Sequence, residues 1–413
     1  MALIAATLGG TAALRAGSST WIAPGSGNYW TTTNWQANTV PNAETDTATF
    51  GNAGGGTVSI DGGATVKDLI FDGTASAYTI ASSNGHHLEL SSGGGSISAT
   101  GTGANAQLVT TDVYRRGNSS FTNDYASPDH TLTLGGSLKI WTNQNVTLTL
   151  GGTNTGANTV SGVITDDGNP GKTTLNKTGA GVWILSGQNN YTGPTNIQGG
   201  TLLVTGTHAS SAAYTIDGGA LGGAGGKISA AGVTLTGSAG SALDISGAGL
   251  GTIGSQAALT APGMLEFDLG STSLDISQAG AGALRFVLAT PGSSDFAWLS
   301  SGTLEIGDGV LSLENFRFDL SNLTPEDTGT YILFYTSSED GIIGSLADHD
   351  LSLLSGGYQL TLSLGSDADQ FDTLELHVTA AVPEPSVWSA ILLGSALLIG
   401  FRRWRGCTTP PAP

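Results

Sequence analysis

The stretch "TTLNKTGAGVWILSGQNNYTGPTNIQGGTLLV", Thr173 to Val204, is the most informative in the chain. "KTGAG" and "NNYTG" have the glycines and asparagines of tight corners. Between and beside them lie "VWILSG", "TNI" and "GTLLV", each short and apolar enough for a strand. The order strand, corner, strand, corner, strand is what one rung and a half of a β-helix requires.

Outward from there the same texture fills Trp21 to about Ala380. Period-2 alternation recurs in "TVSI", "TLTLGGSLKI", "NVTLTL", "LEFDL" and "TLELHV". In "TLTLGGSLKI" the residues Leu132, Leu134, Leu138 and Ile140 share one side, and threonine, serine and lysine take the other. No stretch of the body shows a convincing 3.6-residue period. Glycine is abundant, with 64 of 413 residues, while charged residues are 11% and aromatics 7%. Glycine costs about 1 kcal/mol at each helix-interior position, so a helical bundle is excluded. Hydrophobic residues make up 39%, which argues against disorder. Strands with one-sided apolar faces stack either as β-solenoid rungs about 4.8 Å apart or as a sandwich. High glycine and scarce bulky aromatics favour an all-β solenoid, a parallel β-helix, of roughly a dozen rungs at some 20–25 residues each.

The residues Leu175, Lys177, the Thr178–Gly181 turn, Leu185-Ser186-Gly187, Asn190–Gly193, Thr195, Ile197 and Gly199–Leu202 carry a resemblance. The segment 173–204 resembles the autotransporter-associated β-strand repeat, also called the passenger-associated transport repeat. The Trp-rich opening "GSGNYWTTTNWQANTVPNAETDTATFG", Gly25 to Gly51, is similar to the head of exported proteins with this repeat. Trp30 and Trp35 are expected to cap the open end of the solenoid, where a terminal rung must shield its interior. The expected organisation is a signal segment over 1–18, a solenoid over 19–261, a C-terminal β region over 262–380, a sorting segment over 382–406 and a tail over 407–413. In 262–380 glycine thins and phenylalanine and tyrosine return, as in a β cap or a small separate β domain. There "TPEDTGTY", Thr324 to Tyr331, has the spacing of an immunoglobulin tyrosine corner, although a turn entering a strand is the plainer account.

Both ends point to export. Met1 to Ala16 is apolar and rich in small residues, as in a secretory signal that lacks its charged start. Val387 to Phe401 is a long apolar run of about 22 Å as a helix, short of the ~30 Å hydrocarbon core. Arg402, Arg403 and Arg405 follow it as a membrane stop. Val382, Pro383, Glu384 and Pro385 precede it, and two prolines hold that motif extended. Together these parts resemble a PEP-CTERM sorting tail. The resemblance implies processing by an exosortase-type enzyme, transient or permanent single-pass anchoring, and delivery to the cell envelope, cell surface or extracellular matrix. A true autotransporter would end in its own membrane barrel, which this tail does not resemble.

The net charge of −19 argues against nucleic acid as a partner. Cys407 is the single cysteine, so the body carries no disulfide and no thiolate metal site. His86, His87, His130, His208, His349 and His377 lack metal-ligand spacing, and His87 and Glu89 of "HHLEL" point together, to solvent. "NPGKTT" has Asp166 where a phosphate loop needs its first glycine. No cofactor or metal is expected. The segment "TTDVYRRGNSSFTNDYASPDH", ending at His130, breaks the rhythm and reads as a projecting loop. Asp112, Tyr114, Arg115, Arg116, Asp124 and Tyr125 are its candidate ligand residues, since sugar binding and glycoside cleavage use aromatics with carboxylates and arginines. The expected function is a structural or adhesive, non-enzymatic surface solenoid that contacts polysaccharide. The alternative is a polysaccharide hydrolase or lyase, for which Arg115, Asp112 and Asp124 must converge with Asp166 or Asp167.

Overall fold

A computed structural model describes residues 17–102, 105–245, 264–290, 294–324, 326–338, 340–347, 352–355, 357–366 and 370–380. Residues 1–16 of the expected signal segment, the expected sorting motif, the apolar run, the three tail arginines and His349 lie outside them.

The described chain is β-strand joined by turns, with three 3₁₀ turns and no α-helix among the described residues. No helix among them is long and apolar enough to cross a membrane. The strands form three sheets of 20, 12 and 5 members. Strands pair in parallel with the equivalent strand of the next rung, the arrangement of a β-solenoid. The 12-stranded sheet counts the rungs.

Alternation decides what is buried. Val146–Gly152 and Thr173–Lys177 turn every second side chain into the interior, where Leu148, Leu150 and Leu175 stack. The four apolar residues of "TLTLGGSLKI" are all buried, but from two sheets: Leu132–Leu134 belongs to the second and Leu138–Ile140 to the third. Gly136 makes the corner between them, where a Cβ would overlap the Thr111 backbone.

Rung size varies. Leu175 pairs with Thr195 and Thr195 with Tyr214, so these rungs take about 20 residues each. Earlier, Ser119 pairs with Leu148 and Val146 with Thr173, so a rung takes nearly 30. Only the wide rungs supply the five-stranded third sheet, whose members run from Ala64–Val66 to Ile164–Thr165. In the tight rungs the corresponding strands Gln188–Asn189, Thr207–Ala209 and Gly226–Ser229 join the largest sheet instead.

Both ends are closed. At the N-terminal end Trp35 is fully buried, packs edge-on to Trp21 and Tyr29, and donates its indole N–H to the Tyr29 carbonyl at 2.6 Å. Trp30 lies partly buried beside Tyr29 and donates to the Gly62 carbonyl. Beyond 264, Met264–Asp275 and Phe296–Leu311 continue the parallel stacking. The order then changes: Gly329–Thr336, Asp372–Ala380 and Tyr358–Ser366 pair antiparallel. Antiparallel closure covers a parallel edge that would otherwise recruit another strand. The Tyr331 hydroxyl donates back to the Asp327 carbonyl at 2.8 Å, the local bond of a tyrosine corner. Its strand pairs in parallel with Phe296–Leu311, so no immunoglobulin sandwich is built around it.

Candidate functional site

The segment 111–130 is not a projecting loop. It contains two regular strands, Asp112–Arg115 in the third sheet and Ser119–Asn123 in the first, each paired with neighbours on both sides. Strand parity therefore divides the six candidate residues. Asp112, Tyr114 and Arg116 face outward; Arg115 and Tyr125 are buried. Asp124 is exposed at another corner, where it accepts from the Thr153 backbone N–H at 2.9 Å. The constellation that a lyase or hydrolase would draw from Arg115, Asp112 and Asp124 is not assembled.

The outward side chains of the third sheet form a continuous strip. Thr65, Glu89, Tyr114, Lys139 and Thr165 occupy one register column, and His87 and Asp112 a second. The His87 ring lies 4.0 Å from the Tyr114 ring, and Tyr114 meets Trp141 edge-on at 5.1 Å. Trp141 is 56% exposed, and is the exposed aromatic among the described residues. Its backbone N–H donates to the Arg115 carbonyl, which fixes it one rung above Arg116.

Lys139 and Arg116 of this strip each have a carboxylate. Lys139 Nζ lies 3.1 Å from Asp112 and 5.3 Å from the Tyr114 ring centre. Partial burial works against its ammonium, but the hydrogen bond and charge of Asp112 outweigh it and raise the Lys139 pKa. Arg116 Nη1 contacts Glu44 at 2.6 Å and Glu89 at 3.9 Å, and His87 Nε2 lies 3.4 Å from Glu89. Glu44 also accepts from Ser92. Just past this corner is a shallow groove of about 450 Å³, floored by Gly93, Gly94 and Gly95 and walled by Ser96, Asn118 and Ser120. Its Asn118 lies two residues beyond Arg116, at the corner that ends the strip, while its Asp68, Ser96, Ser120 and Thr149 stand on the first sheet.

A second arrangement lies inside. Arg115 donates from Nη2 to Thr173 Oγ1 at 2.9 Å, two rungs on, while Nε and Nη1 have no protein partner. Burial pulls its guanidinium down to about 10, with Asp166 acting the other way. The Asp166 carboxylate accepts from the backbone N–H groups of Thr173 and Thr192, both at 2.8 Å. Beyond it, His208 stacks on Tyr191 at 3.9 Å. Its Nε2 meets the Tyr191 carbonyl at 3.2 Å, so Nε2–H donates and Nδ1 accepts from the Tyr214 hydroxyl. Burial drives His208 down to about 4. Lys177 is buried with its Nζ on the carbonyls of Thr178, Gly179 and Gly199, and burial lowers it to about 7. These groups are enclosed and hold the rungs to one another.

Sequence reasoning placed Glu89 outward without giving it a partner and did not single out Trp141, Lys139 and Glu44 as site residues. Parity held the signal for two of them: in "LKIW" Leu138 and Ile140 point inward, which turns Lys139 and Trp141 outward. Glu44 joins Arg116 across 72 residues, and nothing local announces that pair.

Residues 175–204 match the passenger-associated-transport-repeat family. The chain is also 57% identical over 60 residues to a protein of Brucella suis biovar 1 (strain 1330), the adhesin BmaC autotransporter. That match takes in 14% of this chain and 2% of the adhesin. The repeat coincides with the first tight rungs, and its Lys177, Gly179 and Gly200 are the buried ammonium and two left-handed corner positions.

Proposed function

We propose that this is a non-enzymatic β-solenoid displayed outside the cell, where it has a structural or adhesive role. The observation that carries the reading is the parallel stack itself: it contains a passenger-associated transport repeat and shares 57% identity over 60 residues with part of an adhesin. The stack is a stiff rod whose core is built from many small strand pairings, and its acidic surface suits an external medium. Delivery falls to the C-terminal segment 382–406, read as a PEP-CTERM tail. On this reading an exosortase-type enzyme recognises Val382–Pro385 once Val387–Phe401 has entered the membrane and Arg402, Arg403 and Arg405 have stopped transfer.

Intact-mass analysis of protein from the membrane and from the surface or medium tests both parts. A surface or medium species ending near 382–385 is expected. Full-length protein held only in the membrane would replace sorting by anchoring, and protein confined to the cytoplasm would overturn the reading.

A further inference from the structure

We propose that the third face of the wide rungs binds an uncharged polysaccharide, seated on Trp141 and Tyr114 and continuing over Arg116 into the glycine-floored groove. This rests on the adhesive reading above and names the site and the ligand chemistry. Three observations carry it. Trp141 exposes most of its ring from a rigid strand end, buttressed edge-on by Tyr114, although an exposed indole gains nothing from water. Such a ring offers a flat apolar platform for the C–H face of a sugar. Around it, the planar groups of Glu44 and Arg116 and the Lys139–Asp112 pair are already held in place, so they present hydrogen-bonding atoms without further ordering cost. The adjoining groove, lined by Ser96, Asn118 and Ser120 over glycines, supplies hydroxyls and an amide and leaves room for a second sugar.

The charge pattern selects the class. Lys139 and Arg116 each face a carboxylate, so the strip has no spare positive charge for a uronate or sulfate. The chain carries −19 overall, which repels a polyanion further. A neutral glycan meets neither obstacle.

Affinity electrophoresis and titration calorimetry of the full chain test this with mixed-linkage β-glucan, galactomannan and dextran, and with alginate as the anionic comparator. Binding to at least one neutral polymer is expected, unchanged between 50 and 500 mM salt within about twofold. Trp141→Ala should weaken it at least about tenfold with an unchanged melting curve. Ser120→Trp, which fills the groove, should also weaken it, and it keeps the proposal testable if the first variant misfolds. Silence with all three neutral polymers, unchanged affinity in either folded variant, or binding to alginate alone that salt abolishes would each overturn the proposal. Protease shaving of intact cells reads surface display separately. A displayed chain that binds no neutral glycan sinks this inference alone, and a binder absent from the surface sinks only the display reading.

Discussion

The wide rungs around residues 64–165 and the tight rungs around 173–235 share one fold and differ in what they present. A wide rung spends its extra residues on a separate third face, and that face carries His87, Tyr114, Lys139 and Trp141. A tight rung has no separate face to decorate. Its outward residues carry no exposed ring: Asn176 accepts from the Asn196 side-chain amide at 2.9 Å, Gln188 lies opposite Thr207, and Lys227 pairs with Glu266 at 2.7 Å. The recognisable repeat is therefore the economical part of the scaffold, while the candidate recognition surface sits where the repeat is least recognisable. Function lies in such local surfaces rather than in the fold.

Inside, the contrast runs the other way. The tight rungs bury Lys177 with three carbonyl acceptors, and the wide rungs bury Arg115 with one hydroxyl. Replacing Lys177 by Met should therefore give the largest loss, about 3 kcal/mol by denaturant titration, because carbonyls of Thr178, Gly179 and Gly199 lose a shared donor. The folded ammonium titrates near 7 and an unfolded lysine near 10.5. Protons are thus released on folding between these values, and wild type gains stability as pH rises above 7. Lys177→Met lacks that gain, so its deficit should be wider at pH 9 than at pH 7.

His208 should come next. Its folded pKa is about 4 against an ordinary 6.5, so the unfolded chain takes up the proton first as pH falls. The stability that His208 contributes is complete above 6.5, is lost as pH falls towards 4, and is down by about 2 kcal/mol at pH 5. His208→Gln should flatten that part of the curve, measured as the wild-type minus variant difference between pH 7 and pH 5. An equal slope in the two proteins would place the acid sensitivity elsewhere.

How far the sequence carries these distinctions follows from strand parity. Period-2 alternation reveals the interior of "TLTLGGSLKI", and it turns His87 and Glu89 outward as the structure has them. The same rule, applied to "DVYR", puts Arg115 on the face of Val113 and inside the solenoid. Charge pulled the expectation to the surface, yet four residues of unbroken alternation outweigh one guanidinium when a buried acceptor and Asp166 await it. Tyr125 is a different case. It follows a strand at a corner, and its hydroxyl donates to the Asp72 carbonyl at 3.2 Å from 53 residues away. Asn123, Asn154 and Asn158 hold that corner through a buried amide network in which Asn123 donates to Asn158 at 2.6 Å. Such long-range satisfaction has no local pattern, so the segment looked like a loop although it is a rung.

Arg115→Met sharpens the interior contrast with a smaller effect. Two of the guanidinium nitrogens have no protein partner, and a buried charge with incomplete hydrogen bonding is costly. Methionine fills much of the same space, leaves the Thr173 hydroxyl to adjust and removes the charge that acts on Asp166. The expected change lies within about 1 kcal/mol of wild type and of either sign, against the clear loss at Lys177. A loss as large as that of Lys177→Met would mean that Arg115 is satisfied by internal water and that its charge anchors the wide rungs.

The smallest stability effect belongs to the surface that distinguishes the two regions most. Tyr114→Ala and Trp141→Ala remove outward rings that touch mainly one another, His87 and the ammonium of Lys139. Each should shift the unfolding free energy by no more than about 0.5–1 kcal/mol, because an exposed pair contributes little beyond its own contact. The double variant decides between packing and recognition. If the strip serves packing, the two losses overlap and the thermal transition falls visibly when both rings go. If it serves recognition, melting is nearly unmoved, and the rings persist on a wide rung for something outside the protein. Differential scanning calorimetry of the two single variants and the double variant at pH 7 makes that choice, and a fall of several degrees in the double variant would return the third face to the scaffold.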